Sequence, residues 1–133
     1  MPHLIIEYSA NLDPRVDMAA ACETLRVAMI RTGVFPCAGV RVRAHRAELF
    51  SLADAHSDNA FAHLQIRIGS GRDLATRRRA GEALMQEAQA IFAEELLTGY
   101  FALSLEICEI DAATSWKANP IHARLALTEP SEK

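Results

Sequence analysis

The sequence predicts an α+β fold: two β-α-β units forming a four-stranded mixed sheet with two helices on one face. Three observations carry this. Segments 40–46 and 61–68 alternate apolar and polar residues, the period of a half-buried strand. Segments 18–29 and 74–98 carry apolar residues at helical spacing. These patterns occur in the order strand, helix, strand, twice over. Each such unit returns its second strand parallel to the first through a right-handed crossover.

The first strand is 3–8, HLIIEY, apolar and β-branched. Asp13-Pro14 reads as an N-cap followed by proline at the first helical position. Met18, Cys22, Leu25 and Met29 then form one helical stripe, which Gly33 ends. Phe35-Pro36 opens an irregular connection to Gly39. In 40–46, VRVRAHR, Val40, Val42 and Ala44 face one way and Arg41, Arg43 and His45 the other. The polar loop SLADAHSDN has neither glycine nor proline, and a short turn of helix is expected there.

In 61–68, FAHLQIRI, the core face is Ala62, Leu64, Ile66 and Ile68. GSGRD leads into a helix over about 74–98, with Asp73 as its N-cap and Leu84, Met85, Ala88, Ile91, Phe92 and Leu96 on its buried side. Gly99 closes it. The fourth strand is 101–108, with Phe101, Leu103, Leu105 and Ile107 inward. A C-terminal arm follows over about 112–127, with a short helix near 120–127, and 128–133 reads as a frayed tail. The whole of 1–133 is expected to be a single domain. With both helices on one side, the opposite sheet face carries Arg41, Arg43, His45, His63, Gln65, Arg67, Ser104 and Glu106. That face, with the arm, is expected to pack against other subunits.

Composition narrows the function. A formal net charge of −3 argues against a nucleic-acid partner, which usually meets a basic surface. The N-terminus lacks a basic start, and no apolar run approaches the roughly 20 residues that span a bilayer. Neither export nor a membrane partner is expected. Cys22, Cys37 and Cys108 are widely spaced, which suits reduced thiols in the cytoplasm better than a disulfide frame or zinc site. The cations are nearly all arginine, Lys117 and Lys133 being the lysines. Arginine grips a planar carboxylate with two parallel hydrogen bonds, although genomic base composition produces the same bias.

Four features bear on chemistry. Initiator methionine is normally removed ahead of a small residue, and removal would leave Pro2 with a free secondary amine opening a strand. Such an amine titrates near 7.7–8 in peptides. Nearby cations and partial burial lower that value, which suits a general base at neutral pH. Proline is also a common second residue, so position alone does not make it catalytic. Arg41 and Arg43 share one strand face and need anions if buried. A polycarboxylate would supply them, and so would Glu7, Glu106 or a neighbouring subunit. Gly69-Ser70-Gly71-Arg72 enters a helix with backbone N–H groups suited to an anion, or it is simply a tight turn. His3, His45, His63 and His122 show no metal-ligand spacing, so no metal is expected. Ser70 and Ser104 have no evident histidine–acid partners, and Arg77-Arg78-Arg79 reads as a solvated helix face.

The order and spacing of these residues resemble the tautomerase superfamily, and more closely its 5-carboxymethyl-2-hydroxymuconate isomerases. The resemblance runs through MPHLIIEYSANL, TGVFPCAGVRVRAH, AFAHLQIRIGSGRDLATR, LSLEICEI and NPIHARL. It implies a homotrimer with sheets around a central axis and the N-terminal proline at the bottom of each pocket. It implies conversion of 5-carboxymethyl-2-hydroxymuconate to its 2-oxo-3-ene isomer, in the breakdown of homoprotocatechuate derived from 4-hydroxyphenylacetate. No metal or organic cofactor is implied. Carried onto this sequence, Pro2 is the general base and then the acid. Arg41 and Arg72, with Arg43 as a third, hold the carboxylates of a small di- or tricarboxylate substrate and stabilise the dienolate. The second unit begins inside the chain near Phe61 and has no free amine, so one base per subunit is implied. Two alternatives remain at this level: a tautomerase for another enol acid such as phenylpyruvate, and a non-catalytic trimeric ligand-binding protein of the same fold.

Overall fold

Leu4, Ile6 and Tyr8, then Ala62, Leu64, Ile66 and Ile68, are all buried, so the alternating pattern marks one sheet face turned to the core. The computed structural model describes residues 1–128. The strands are β1 (His3–Ser9), β2 (Arg41–Ala47), β3 (Ala60–Gly69) and β4 (Phe101–Ile110). They form one sheet in the order β2-β1-β3-β4. β1 runs parallel to β2, β3 parallel to β4, and β1 antiparallel to β3. This is the mixed sheet expected of two β-α-β units.

The helices are α1 (Met18–Arg31), α2 (Leu74–Ile91), the short α3 (Ala93–Leu96) and α4 (Pro120–Thr128). α1 packs on β2, α2 on β4, and the two long helices on each other. Leu25 and Met29 of α1 and Leu84 and Ala88 of α2 reach the core with no exposure. Asp73 caps α2 as expected, its carboxylate accepting from the Thr76 N–H at 2.8 Å. Gly33 follows α1 with φ +72°, a conformation that favours glycine. The frayed tail expected at 128–133 lies, from 129 onward, outside the described residues.

Three local expectations are corrected. α1 starts at Met18 rather than beside Asp13, and its cap is Asp17, which accepts from the Ala20 N–H at 3.1 Å. The chain first makes a 3-10 turn at Ala10–Leu12 that buries Leu12. Asp13 is then occupied by the Tyr8 hydroxyl at 2.8 Å and the Arg46 guanidinium at 2.7 Å. The helix over 74–98 breaks at Phe92 (φ −102°, ψ 25°), whose buried ring packs 5.2 Å from that of Phe101. Beyond the break Leu96 is exposed, and Glu95 is buried against Arg15. The 51–59 loop contains turns and no helix. Ala53 and Ala55 take the left-handed conformation, and the Asp54 carboxylate accepts from the His56 N–H and the Asn59 amide.

Candidate active site

β1 and β2 begin, and the antiparallel β3 and its partner β4 end, at the same side of the sheet. Pro2 therefore stands at the lip where β1 starts. Across the sheet, His3 faces Arg41 on one side and Arg67 on the other, and Arg67 faces Cys108. The Arg41 N–H donates to the Pro2 carbonyl at 3.2 Å, fixing Pro2 against β2. Pro2 is buried and Met1 is half-buried.

A cleft of about 590 Å³ opens here. It is lined by Met1, His3, Arg41, Gly69 and Ile110 at the end of the sheet and by Ala112, Ser115, Trp116, Lys117 and Ala118 of the arm. The Met1 thioether accepts a contact from Arg41 Nη2 at 3.1 Å. Met1, joined to the Pro2 nitrogen, thus reaches Arg41 with its side chain.

Of the arginines singled out in the sequence, only Arg41 lines this cleft. Arg43 lies two residues further along β2, its Nη1 3.2 Å from His3 Nδ1. Arg72 sits beside Gly69. It donates to the carbonyls of Gly69 and Val34, each at 3.3 Å, and lies 5.4 Å over the Phe35 ring. Arg15, Arg26, Arg46 and Arg77 each have a carboxylate within reach. Among the described residues, Arg41, Arg43 and Arg72 have none. This end of the sheet therefore holds uncompensated positive charge.

That charge acts on its neighbours. Burial, then Lys117, Arg41 and Arg72, lower the pKa of the Met1 amine, one residue ahead of Pro2, from its ordinary value of 8.0. Burial, then Arg41 and Arg43, lower that of His3. An amine held here is more readily neutral, and a carboxylate is attracted. Among the described residues, no three His, Cys, Asp or Glu side chains gather as a metal-ligand set.

The sequence reading missed two things. Lys117 and Trp116 belong to the cleft, but the arm has no periodicity to show where its side chains go. Ser104 does have a histidine–acid partner: its hydroxyl lies 2.6 Å from His63 Nδ1, and His63 Nε2 lies 3.0 Å from Glu106. The β3–β4 register sets Ser104 opposite His63, which single strands do not disclose. Ser104 is mid-strand, not on the strand-to-helix turn that presents a nucleophile beside oxyanion-binding N–H groups.

Comparison with known proteins agrees with this layout. Residues 2–125 match the family described as 5-carboxymethyl-2-hydroxymuconate isomerase. The chain is 36% identical over 123 residues to the 5-carboxymethyl-2-hydroxymuconate Delta-isomerase of Escherichia coli, covering 92% of this chain and 98% of that one. A crystal structure of a 5-carboxymethyl-2-hydroxymuconate delta-isomerase superposes with a TM-score of 0.86 at 36% identity, covering 100% of this chain and 96% of that one. The isomerase structure from Deinococcus radiodurans R1 gives 0.85 at 38% identity, covering 93% of each chain.

Proposed function

Because the chain belongs to the 5-carboxymethyl-2-hydroxymuconate isomerase family, we propose that it isomerises 5-carboxymethyl-2-hydroxymuconate in aromatic catabolism, with the amine of Pro2 carrying the proton once Met1 has been removed. The observation that carries this reading is the cleft lined by Met1 and His3, the two neighbours of Pro2, with Arg41 in it and no carboxylate on Arg41, Arg43 or Arg72 among the described residues. A substrate with several carboxylates supplies the missing anions.

Removal of Met1 does two things at once. It turns the Pro2 amide into a secondary amine, and it vacates the space beside Arg41. The neutral amine accepts the proton of the 2-hydroxyl. The oxygen's electron pair forms the 2-oxo group, the double bonds move to leave a 3-ene, and the ammonium returns the proton to the far carbon of the dienolate. Arg41 binds a carboxylate next to the developing charge. Arg72 and Arg43 add positive potential from fixed positions, so little reorganisation is needed as charge moves. The hydrogen bond from the Arg41 N–H to the Pro2 carbonyl and the close packing of Gly39 hold the ring in place.

Assembly as a cytoplasmic homotrimer is part of this reading. Its support is the sheet face without helices, where His63, Gln65 and Arg67 are half-buried and Glu7, His45 and Glu106 exposed, together with the open edges of β2 and β4. The direct test is isomerisation of 5-carboxymethyl-2-hydroxymuconate, followed by ultraviolet absorbance, with Pro2→Ala alongside. Turnover by the wild type that falls on the order of 10²- to 10⁴-fold in the variant supports both substrate and base. No turnover by wild type confirmed to lack Met1 rejects the substrate.

A further inference from the structure

We propose that Lys117, carried into the cleft by the C-terminal arm, is a substrate-binding residue that pairs with one carboxylate of a polyanionic ligand whose other end is held by Arg41. This rests on the reading of the cleft as the isomerase site, and it makes the arm a determinant of specificity for polycarboxylates over monocarboxylates. Three independent observations support it.

The first is placement. Lys117 and Arg41 line the same cleft, one from the arm and one from β2. The second is charge. Among the described residues Lys117 makes no salt bridge, and neither does Arg41. Two cations facing one concave space without an anion favour a ligand with at least two negative groups.

The third is that the arm leaves the end of β4 through a local turn and is tied to another element just past Lys117. Asp111 accepts from the Ala113 N–H at 2.9 Å, starting the 3-10 turn Ala112–Thr114. At the other end Asn119 donates to the Ala38 carbonyl at 3.0 Å, while its own oxygen accepts from the Ile121 and His122 N–H groups at the start of α4. Ala38 adjoins Gly39, which packs on Pro2. Lys117 is thus two residues from an anchor tied to the loop that positions the proposed base. A freely moving tail would place no charge reproducibly.

The test uses the processed full-length chain with Lys117→Met and Lys117→Arg. Tricarballylate, a tricarboxylate that cannot be isomerised, is titrated by calorimetry. Trp116, the sole tryptophan and a cleft residue, reports occupancy by fluorescence. Lys117→Met is expected to weaken tricarballylate about tenfold, the size of one lost charge-assisted hydrogen bond, and Lys117→Arg to restore most of it. In turnover, Lys117→Met raises KM for 5-carboxymethyl-2-hydroxymuconate by a similar factor. Equal tricarballylate affinity in wild type and Lys117→Met, or no binding by the wild type, overturns the proposal. Because this binding is read without turnover, absent isomerisation with Lys117-dependent binding condemns the proposed reaction and leaves the role of Lys117 standing.

Discussion

A methyl group on Gly39 would lie 2.9 Å from Cδ of Pro2, closer than carbon atoms pack. The turn Cys37–Gly39 therefore presses its backbone directly against the proline ring. Gly39 is not in the left-handed region, so alanine fits its backbone, and the strain of Gly39→Ala falls on Pro2 alone. We expect Gly39→Ala to lower kcat/KM by about 10- to 100-fold through misplacement of the amine, with little change in melting temperature. Steady-state kinetics beside a thermal melt check this. A large loss of stability with normal kinetics per folded chain would mean that Gly39 serves packing only.

Arg41 is expected to act through its charge and its fork together. Arg41→Ala should raise KM for the tricarboxylate substrate by about 10- to 100-fold. Arg41→Lys should recover only part of this, since an ammonium cannot make the paired hydrogen bonds of a guanidinium. Full recovery by lysine would show that charge alone matters.

His3 gives the fold a pH dependence. Burial first, then Arg41 and Arg43, and after them the N-terminal amine and Arg67, hold its pKa below the ordinary 6.5. The folded chain thus resists taking up this proton. The stability contribution is fully present above the unfolded value of 6.5 and is lost as pH falls through the lowered folded value. Denaturant midpoints should drop between about pH 7 and pH 5, and His3→Asn should flatten that part of the profile. An unchanged slope in the variant would assign the acid sensitivity elsewhere.

Asp17→Ala should destabilise the chain by about 1 kcal/mol, the usual cost of an N-cap, as read from a denaturant curve. Asp13→Ala should not act through α1, because Asp13 bonds Tyr8 and Arg46 instead. A change in the Tyr8 environment without a change in helix content distinguishes the two.

That pair of aspartates shows where the sequence is legible and where it is not. Strands and long helices are readable because burial of Leu4, Ile6, Leu64 and Ile66 enforces a period of two, and burial of Leu25, Met29 and Leu84 a period near 3.6. Asp13-Pro14 carries a genuine start signal, yet the need to bury Leu12 inserts a 3-10 turn first. The break at Phe92 has no glycine or proline to announce it. It follows from one aromatic ring finding its place against Phe101 on another element. The site divides in the same way. Pro2, just ahead of β1, and Arg41, opening β2, are visible from their positions. Lys117 is not, because its place depends on Asn119 reaching Ala38 across 81 positions of chain.

The measurement that tests the central claim most directly is turnover against the fraction of chains lacking Met1, with that fraction read by intact mass. Met1 blocks the Pro2 nitrogen as an amide and fills the space beside Arg41. Preparations with differing extents of processing should show isomerase activity in proportion to the processed fraction, extrapolating to zero for the unprocessed chain. Full activity in protein that retains Met1 would contradict Pro2 as the base.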